Sequence, residues 1–295
     1  MDDLRLPLTQ SQEFERACNV IGLSVHRVTT AAGTCLVQSR RLPLCGRFNL
    51  ISRGPVLRAA GGLSGLWSEV RQTVRGPVAI NAPAGEAKMP GFKLVRGAEL
   101  ALIDIRDPGE MRGALHQKWR NQLKKAEQSP LTIVNQPLDE DRHAWFFSAE
   151  QAQQESRRYT SYPASLLLAY AAANKGQARL YTAMQGTRPV AAMLILKHGA
   201  MATYQAGVTT DAGRLHCAHN LILWTVMTDL HRCKVSQLDL GRADLSDGLR
   251  RFKRGAGARL ETLAGTSLAL PPLSHMFAGP KPNAGQSGEI ARYSG

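Results

Sequence analysis

The order of its predicted elements constrains this chain more than any single motif does. Hydrophobic periodicity and turn residues predict a helix over 9–20, strands over 24–29, 34–42 and 47–52, a helix over 63–74 and a strand over 78–81. The second half opens with helices over 142–157 and 163–174. It then repeats the order, with strands over 178–184, 189–197 and 201–208, a helix over 215–232 and a strand over 237–240. Tight turns join antiparallel neighbours, whereas a helical crossover joins parallel ones. The sequence therefore predicts an α/β (α+β) chain of two tandem units, each a mixed, mostly antiparallel sheet flanked by helices. A single open sheet is the alternative.

Further elements frame the repeat. Strands are predicted over 92–95, 99–105 and 131–135, and a helix over 110–128 carries Leu115, Trp119, Leu123 and Ala126 on one face. Thr9-Gln10-Ser11-Gln12 has capping-box spacing at the first helix. Late in the chain a short helix over 247–255 precedes strands over 259–263 and 267–270. The Pro137-Leu138-Asp139-Glu140-Asp141 stretch reads as a linker, which puts a first domain at 1–137 and a second at 138–272. Residues 273–295, rich in Gly, Pro and Ser, read as a flexible tail that activity does not need.

A length of 295 residues suits two domains. With 43% apolar and 20% charged residues, a disordered or collagen-like chain is excluded. The longest nearly apolar run, 164–173, falls short of the roughly 20 residues that span a bilayer. The start, Met-Asp-Asp-Leu-Arg, has no apolar signal segment, so a cytoplasmic protein is expected. Cys18, Cys35, Cys45, Cys217 and Cys233 are odd in number and irregular in spacing, and are expected as free thiols. Lys and Arg total 37 against 23 acidic residues, a net charge of +14 that attracts polyanions.

Several site patterns fail on inspection. Gly62-Leu63-Ser64-Gly65 breaks the G-x-S-x-G frame because Leu66 follows. Gly255-Ala256-Gly257 follows a helix rather than a strand and reads as a helix cap. No phosphate-binding P-loop is present. His219 and His231 lie 12 residues apart, about 120° around a helix, so they do not share a face and no metal site is expected.

Two stretches remain. One is the basic amphipathic run Lys118-Trp119-Arg120-Asn121-Gln122-Leu123-Lys124-Lys125-Ala126-Glu127. The other is Leu238-Asp239-Leu240-Gly241 with Leu249-Arg250-Arg251-Phe252-Lys253-Arg254-Gly255. Between them lie the apolar run 188–196, Tyr204 and the long helix. In this order and spacing they resemble the Fem-type transferases, a branch of the GNAT N-acyltransferase superfamily, over about residues 5 to 270. The resemblance implies two tandem GNAT-like domains and transfer of an acyl group to an amine.

The resemblance also implies roles. Lys253 occupies the position of a lysine implicated in catalysis. Asp239, at the carboxyl end of a strand, is read as a base or an orienting partner for it, with a solvated or structural carboxylate as the alternative. Phe252, Tyr204, Lys118, Arg120 and Asn121 fall on the substrate side. The donor loop of CoA-binding members corresponds to Arg214, His216 and Ala218, but Cys217 and His219 stand where glycine and a small residue are expected. A phosphate-holding backbone nest forms less readily without glycine. A CoA-type thioester is the expected donor, with acyl-CoA as co-substrate and a small or peptide-like amine as acceptor. Aminoacyl-tRNA is the rival donor: charge and the altered loop favour it, while the lack of a long heptad arm does not. A non-catalytic module that binds nucleic acid is the alternative of another class.

Overall fold

The structure, a computed structural model, describes residues 5–43, 46–58, 61–85 and 89–271. The expected tail and Cys45 lie outside these residues.

The first helix, α1 (Gln12–Val20), starts one turn later than the capping box suggests. Ser11 is its cap and accepts from the Phe14 N–H at 3.1 Å, while the Thr9 hydroxyl donates to the Ser52 carbonyl at 2.7 Å. Strands β1 (Ser24–Thr30), β2 (Gly33–Leu42) and β3 (Gly46–Ser52) form an antiparallel meander, with the two-residue β4 (Val56–Leu57) beside β2. Helix α2 (Leu63–Thr73) crosses over to β5 (Val78–Ala82), which runs parallel to β3 with Ile51 opposite Ile80.

The middle of the chain supplies β6 (Phe92–Val95), β7 (Glu99–Asp104), α3 (Pro108–Ala114), α4 (Gln117–Glu127), β8 (Leu131–Pro137), α5 (Ala144–Arg157) and α6 (Ala164–Ala173). The second meander is β9 (Ala178–Gln185), β10 (Arg188–His198) and β11 (Met201–Thr209). After α7 (Asp211–Leu215), α8 (Ala218–Arg232) carries the chain to β12 (Gln237–Arg242), parallel to β11. Helix α9 (Asp247–Gly255) and strands β13 (Arg259–Thr262) and β14 (Gly265–Ala269) close the described chain. Both halves thus contain an antiparallel meander, a helical crossover and a parallel fourth strand, as the repeated order requires.

The two sheets run β1-β2-β3-β5-β14-β6 and β13-β7-β12-β11-β10-β9-β8. They do not divide at residue 137. Strands β7 and β8 precede that point yet belong to the second sheet, and β14 returns to the first, between β5 and β6. The reason lies in β7, where Leu100, Ala101, Leu102 and Ile103 are all buried. A run apolar on both faces needs a central place in a covered sheet, and β7 finds it between β12 and β13.

Two predicted helices are each split. The 110–128 helix breaks at Leu115, whose backbone is extended and whose side chain stays buried. The 215–232 helix is preceded by α7, and Cys217 between α7 and α8 takes a left-handed φ of 53°.

Three apolar clusters fix the layers. Helix α2 covers one face of the first sheet through Leu66 and Val70, against Ile51 and Ile80. Helices α3, α4 and α8 cover one face of the second sheet through Trp119, Leu123, Ile222 and Val226. Between the sheets, α1, α5 and α6 bring Phe14, Phe146 and Tyr170 against Leu36 of β2 and Leu180 and Leu194 of the second sheet. Burying such a side chain contributes about 1.5–3 kcal/mol each, so this middle layer ties the two units together.

Candidate active site

Strands β11 and β12 pair only from Met201 opposite Gln237 to Thr203 opposite Asp239. Beyond these three pairs they separate, leaving a wedge at the carboxyl ends of parallel strands, where α/β sheets commonly hold ligands. A bulge bends β11 at this point. Ile195 faces Tyr204 and Leu194 faces Ala206, so Gln205 is an extra residue without a partner on β10. The Tyr204 ring lies across Gly207, where any Cβ would collide with the phenol oxygen. Tyr204 itself is half-buried against the α8-side core, and burial pushes its phenol upward.

On the β12 side of the wedge, Lys253 is buried on α9. Its Nζ donates to the carbonyls of Leu240 at 2.5 Å and Arg242 at 2.6 Å, gripping the strand end on either side of Gly241. Burial lowers its pKa to about 8, opposed by the charges of Asp239 and Asp244. Asp239 is fully buried. Its Oδ1 accepts from the Gly241 N–H at 2.7 Å, and its Oδ2 is ion-paired with Arg53, which follows β3 in the other sheet. Arg53 holds a left-handed φ of 55°, a conformation that costs an L-residue roughly 1–2 kcal/mol. The adjoining His198 is buried, its Nε2 is 2.9 Å from the Thr203 hydroxyl, and burial pushes it down to about 4. Asp239 therefore serves as an anchor between sheets. Both its oxygens are engaged and it meets no solvent, which does not suit the proton-accepting role expected of it.

The other side of the wedge is polar in a way the sequence reading missed. Glu150 of α5 is buried. Its Oε1 accepts from the Tyr159 hydroxyl at 3.1 Å, and its Oε2 accepts from the Gln154 amide. The Gln153 amide donates to the Tyr159 oxygen at 2.9 Å and to the Gly207 carbonyl at 3.0 Å. Gln205 of the bulge donates to the Ser161 hydroxyl at 3.2 Å. The loop joining α5 to α6 is thus tied to the bulged strand. Burial, reinforced by the Glu150 charge and opposed by the Gln153 hydrogen bond, raises the Tyr159 phenol above its ordinary value. A cleft of about 450 Å³ opens beside this cluster, lined by Trp145, Gln153, Arg157, Val208, Thr209 and Arg214 among others.

The remaining expected site residues separate. Arg214 reaches the cleft but is paired with Asp211 at 2.7 Å. His216 is half-buried at the end of α7, and Ala218, the first residue of α8, is fully buried. Lys118 and Asn121 are exposed on α4, on the far side of the core from the cleft. Arg120 donates to the carbonyls of Gly113 and Leu115 at 3.1 and 2.9 Å and so caps α3. Phe252 packs on Trp119 with ring centroids 6.0 Å apart. Lys118, Arg120 and Asn121 thus lie on α4, while Phe252 packs against the core beside Lys253.

The donor segment is wound up. The Thr210 hydroxyl caps α7 through the Gly213 N–H at 3.2 Å. The N–H groups of Arg214, His216 and Cys217 donate to the carbonyls of Thr210, Ala212 and Arg214. Arg53, Glu150, Gln153 and Tyr159 were not legible from spacing alone. The hint available was a glutamate in the middle of a helix, followed by the aromatic and hydroxyl run Tyr159-Thr160-Ser161-Tyr162.

Comparison with known proteins follows the same lines. Residues 113–254 match the acetyltransferase (GNAT) domain family. No curated protein matches the chain in sequence. Among solved structures, the crystal structure of FemX aligns with a TM-score of 0.73 at 13% identity, over 90% of this chain and 92% of that one. The C-terminal domain of a putative lysylphosphatidylglycerol synthetase from Agrobacterium fabrum aligns with a TM-score of 0.57 at 13% identity, over 90% and 89%. The L-PGS structure from Bacillus licheniformis gives 0.53 at 12%, over 92% and 97%.

Proposed function

We propose that this chain, a transferase whose residues 113–254 are a GNAT acetyltransferase domain within a Fem-type tandem fold, moves an aminoacyl group from a charged tRNA to an amine. The observation that carries the choice of donor is α7. A CoA pyrophosphate needs free backbone N–H groups in the loop before the long helix. Here the N–H groups of Arg214, His216 and Cys217 are spent on α7 and the turn that follows it, and the first residue of α8 is buried. The sequence reading ranked a CoA thioester first; the wound loop weighs against it. The names of the fold neighbours, FemX and lysylphosphatidylglycerol synthetase, accord with aminoacyl rather than acetyl transfer.

The charge distribution supports a polyanionic donor. Lys118, Lys124 and Lys125 of α4 and Arg251 and Arg254 of α9 are exposed, and among the described residues they make no ion pair. The two helices pack together through Trp119 and Phe252, so these cations are carried by neighbouring elements. Binding there weakens with salt by roughly 0.7–0.9 log units per phosphate contact for each decade of concentration.

In this reading the acyl carbonyl lies in the wedge near the bulge, whose extra residue leaves backbone groups free of the β10 ladder. Lys253, charged near neutral pH, sets a positive charge and a rigid strand end beside the developing oxyanion. Among the described residues no helix is long and apolar enough to cross a membrane. We place the reaction in the cytoplasm, where charged tRNA is found.

Amine-dependent deacylation of tRNA charged with labelled amino acids is the test, run beside thiol release from acetyl-CoA. Charged tRNA should be consumed, and Lys253→Ala should slow the reaction on the order of 10²–10³-fold. Arg214 and the Thr209 and Thr210 hydroxyls at the cleft favour the thioester as the second reading. Consumption of acetyl-CoA but not of charged tRNA would establish it instead. Salt-sensitive tRNA binding without turnover would mark a binding module.

A further inference from the structure

Acyl transfer to an amine requires that the acceptor, an ammonium at neutral pH, give up a proton before its lone pair can attack. The two groups first considered at the β12 end cannot take it. Lys253 is a donor committed to two carbonyls, and Asp239 is sealed between Arg53 and the Gly241 N–H. Across the wedge, Glu150 is a buried carboxylate without an ion-pair partner among the described residues, held only by a phenol and a primary amide. The Tyr159 oxygen donates to Glu150 and accepts from Gln153, which leaves one lone pair unused. Gln153 lines the cleft and also binds the Gly207 carbonyl on the bulged strand, so the phenol is one hydrogen bond from a cleft-lining residue that is itself tied to that strand.

We propose that Tyr159 and Glu150 form the seat of the acceptor's amine, Tyr159 touching the ammonium and Glu150 acting through it. The inference rests on the acyl-transfer reading but not on the identity of the donor. In the step, one ammonium N–H bond breaks and its proton goes to the Tyr159 oxygen. The phenolic proton passes at the same time to Glu150 Oε1. The freed nitrogen lone pair attacks the acyl carbon. The C–N bond forms, the bond from acyl carbon to the carrier breaks, and the leaving atom takes the second proton from nitrogen. Glu150 is a positioning residue and proton sink, and Tyr159 is the group in contact with substrate. The rest of the acceptor extends into the cleft past Val208 and Trp145, towards Arg157 at its rim.

The test needs no donor. n-Butylamine and its neutral isostere n-butanol are titrated into the full chain, with binding followed by saturation-transfer NMR and folding checked by melting temperature. Wild type should bind the amine saturably and at least ten-fold more tightly than the alcohol. Glu150→Gln should reduce that preference to within two-fold, and Tyr159→Phe should reduce it at least three-fold. Glu155→Gln, an exposed carboxylate on the same helix, should leave it unchanged. If Glu150→Gln fails to fold, Tyr159→Phe alone decides. Equal binding of amine and alcohol by wild type overturns the proposal, as does retention of the preference in a folded variant. A failure of charged tRNA as donor leaves this result untouched, and loss of the amine preference leaves the donor assay untouched.

Discussion

Removing Arg53 should damage this protein more than neutralising Asp239, although the two form one pair. Asp239 is fully buried, whereas a fifth of the Arg53 side chain meets solvent. In Arg53→Met the carboxylate keeps only the Gly241 N–H and stays in a low-dielectric interior between the sheets. Leaving one charge of a buried pair uncompensated costs roughly 3–5 kcal/mol. In Asp239→Asn the Gly241 hydrogen bond survives, and the guanidinium can turn towards water, so the loss should be about 1–3 kcal/mol. With an unfolding entropy of about 2.1 cal/mol/K per residue, a loss of about 4 kcal/mol lowers the melting temperature of a 295-residue chain by about 6 °C. The double variant should be less damaged than the sum of the singles, with a coupling on the order of 0.5–3 kcal/mol. Urea titrations and thermal melts of the three variants measure these quantities. Single losses below about 1 kcal/mol, or strict additivity, would show that the pair does not join the sheets and would refute the reasoning.

Three further outcomes follow from particular residues. Lys253 titrates near 8 in the fold against 10.5 in a free lysine, so between these values the unfolded chain holds a proton that the fold lacks. Stability of wild type relative to Lys253→Met should therefore rise with pH across that window and stay flat below it; a relative fall would contradict the burial argument. Ellman's reagent at pH 8 should modify the exposed Cys233 readily. Cys18 and Cys35, buried and pushed up to about 11 and 12, should react only after unfolding; prompt labelling of Cys18 would show that the middle layer opens, and of Cys35 that α2 lifts from the first sheet. Gly207→Ala forces the Tyr204 hydroxyl out of its place, and such overpacking costs about 1–3 kcal/mol; adding Tyr204→Phe should recover part of the loss, and no recovery would mean that the clash is relieved elsewhere.

The sequence by itself determined the repeated unit. Strand and helix periods and short turns are local properties, and they suffice to order three antiparallel strands, a crossover helix and a parallel strand twice. It also marked Leu115, Trp119, Leu123 and Ala126 as buried, the last three on the basic helix α4. What it could not decide was which distant segments complete each sheet. Strand β7 joins the second sheet because its apolar run needs burial on both faces, and β14 returns to the first sheet; nothing in local spacing records either choice. The same limit applies to the site. Lys253 was legible as a position, but its two carbonyl acceptors lie on β12 and came only with the packing of α9. Asp239 read as a base or an orienting partner for Lys253, and its ion pair was hidden because Arg53 is 186 residues away in the other unit. Glu150 and Tyr159 meet the wedge only because a bulge turns β11 and a loop tied by Gln205 folds over it. Periodicity fixes which residues face inward, and tertiary packing alone brings distant charges within a few ångström, where the electrostatic interactions that make a site arise.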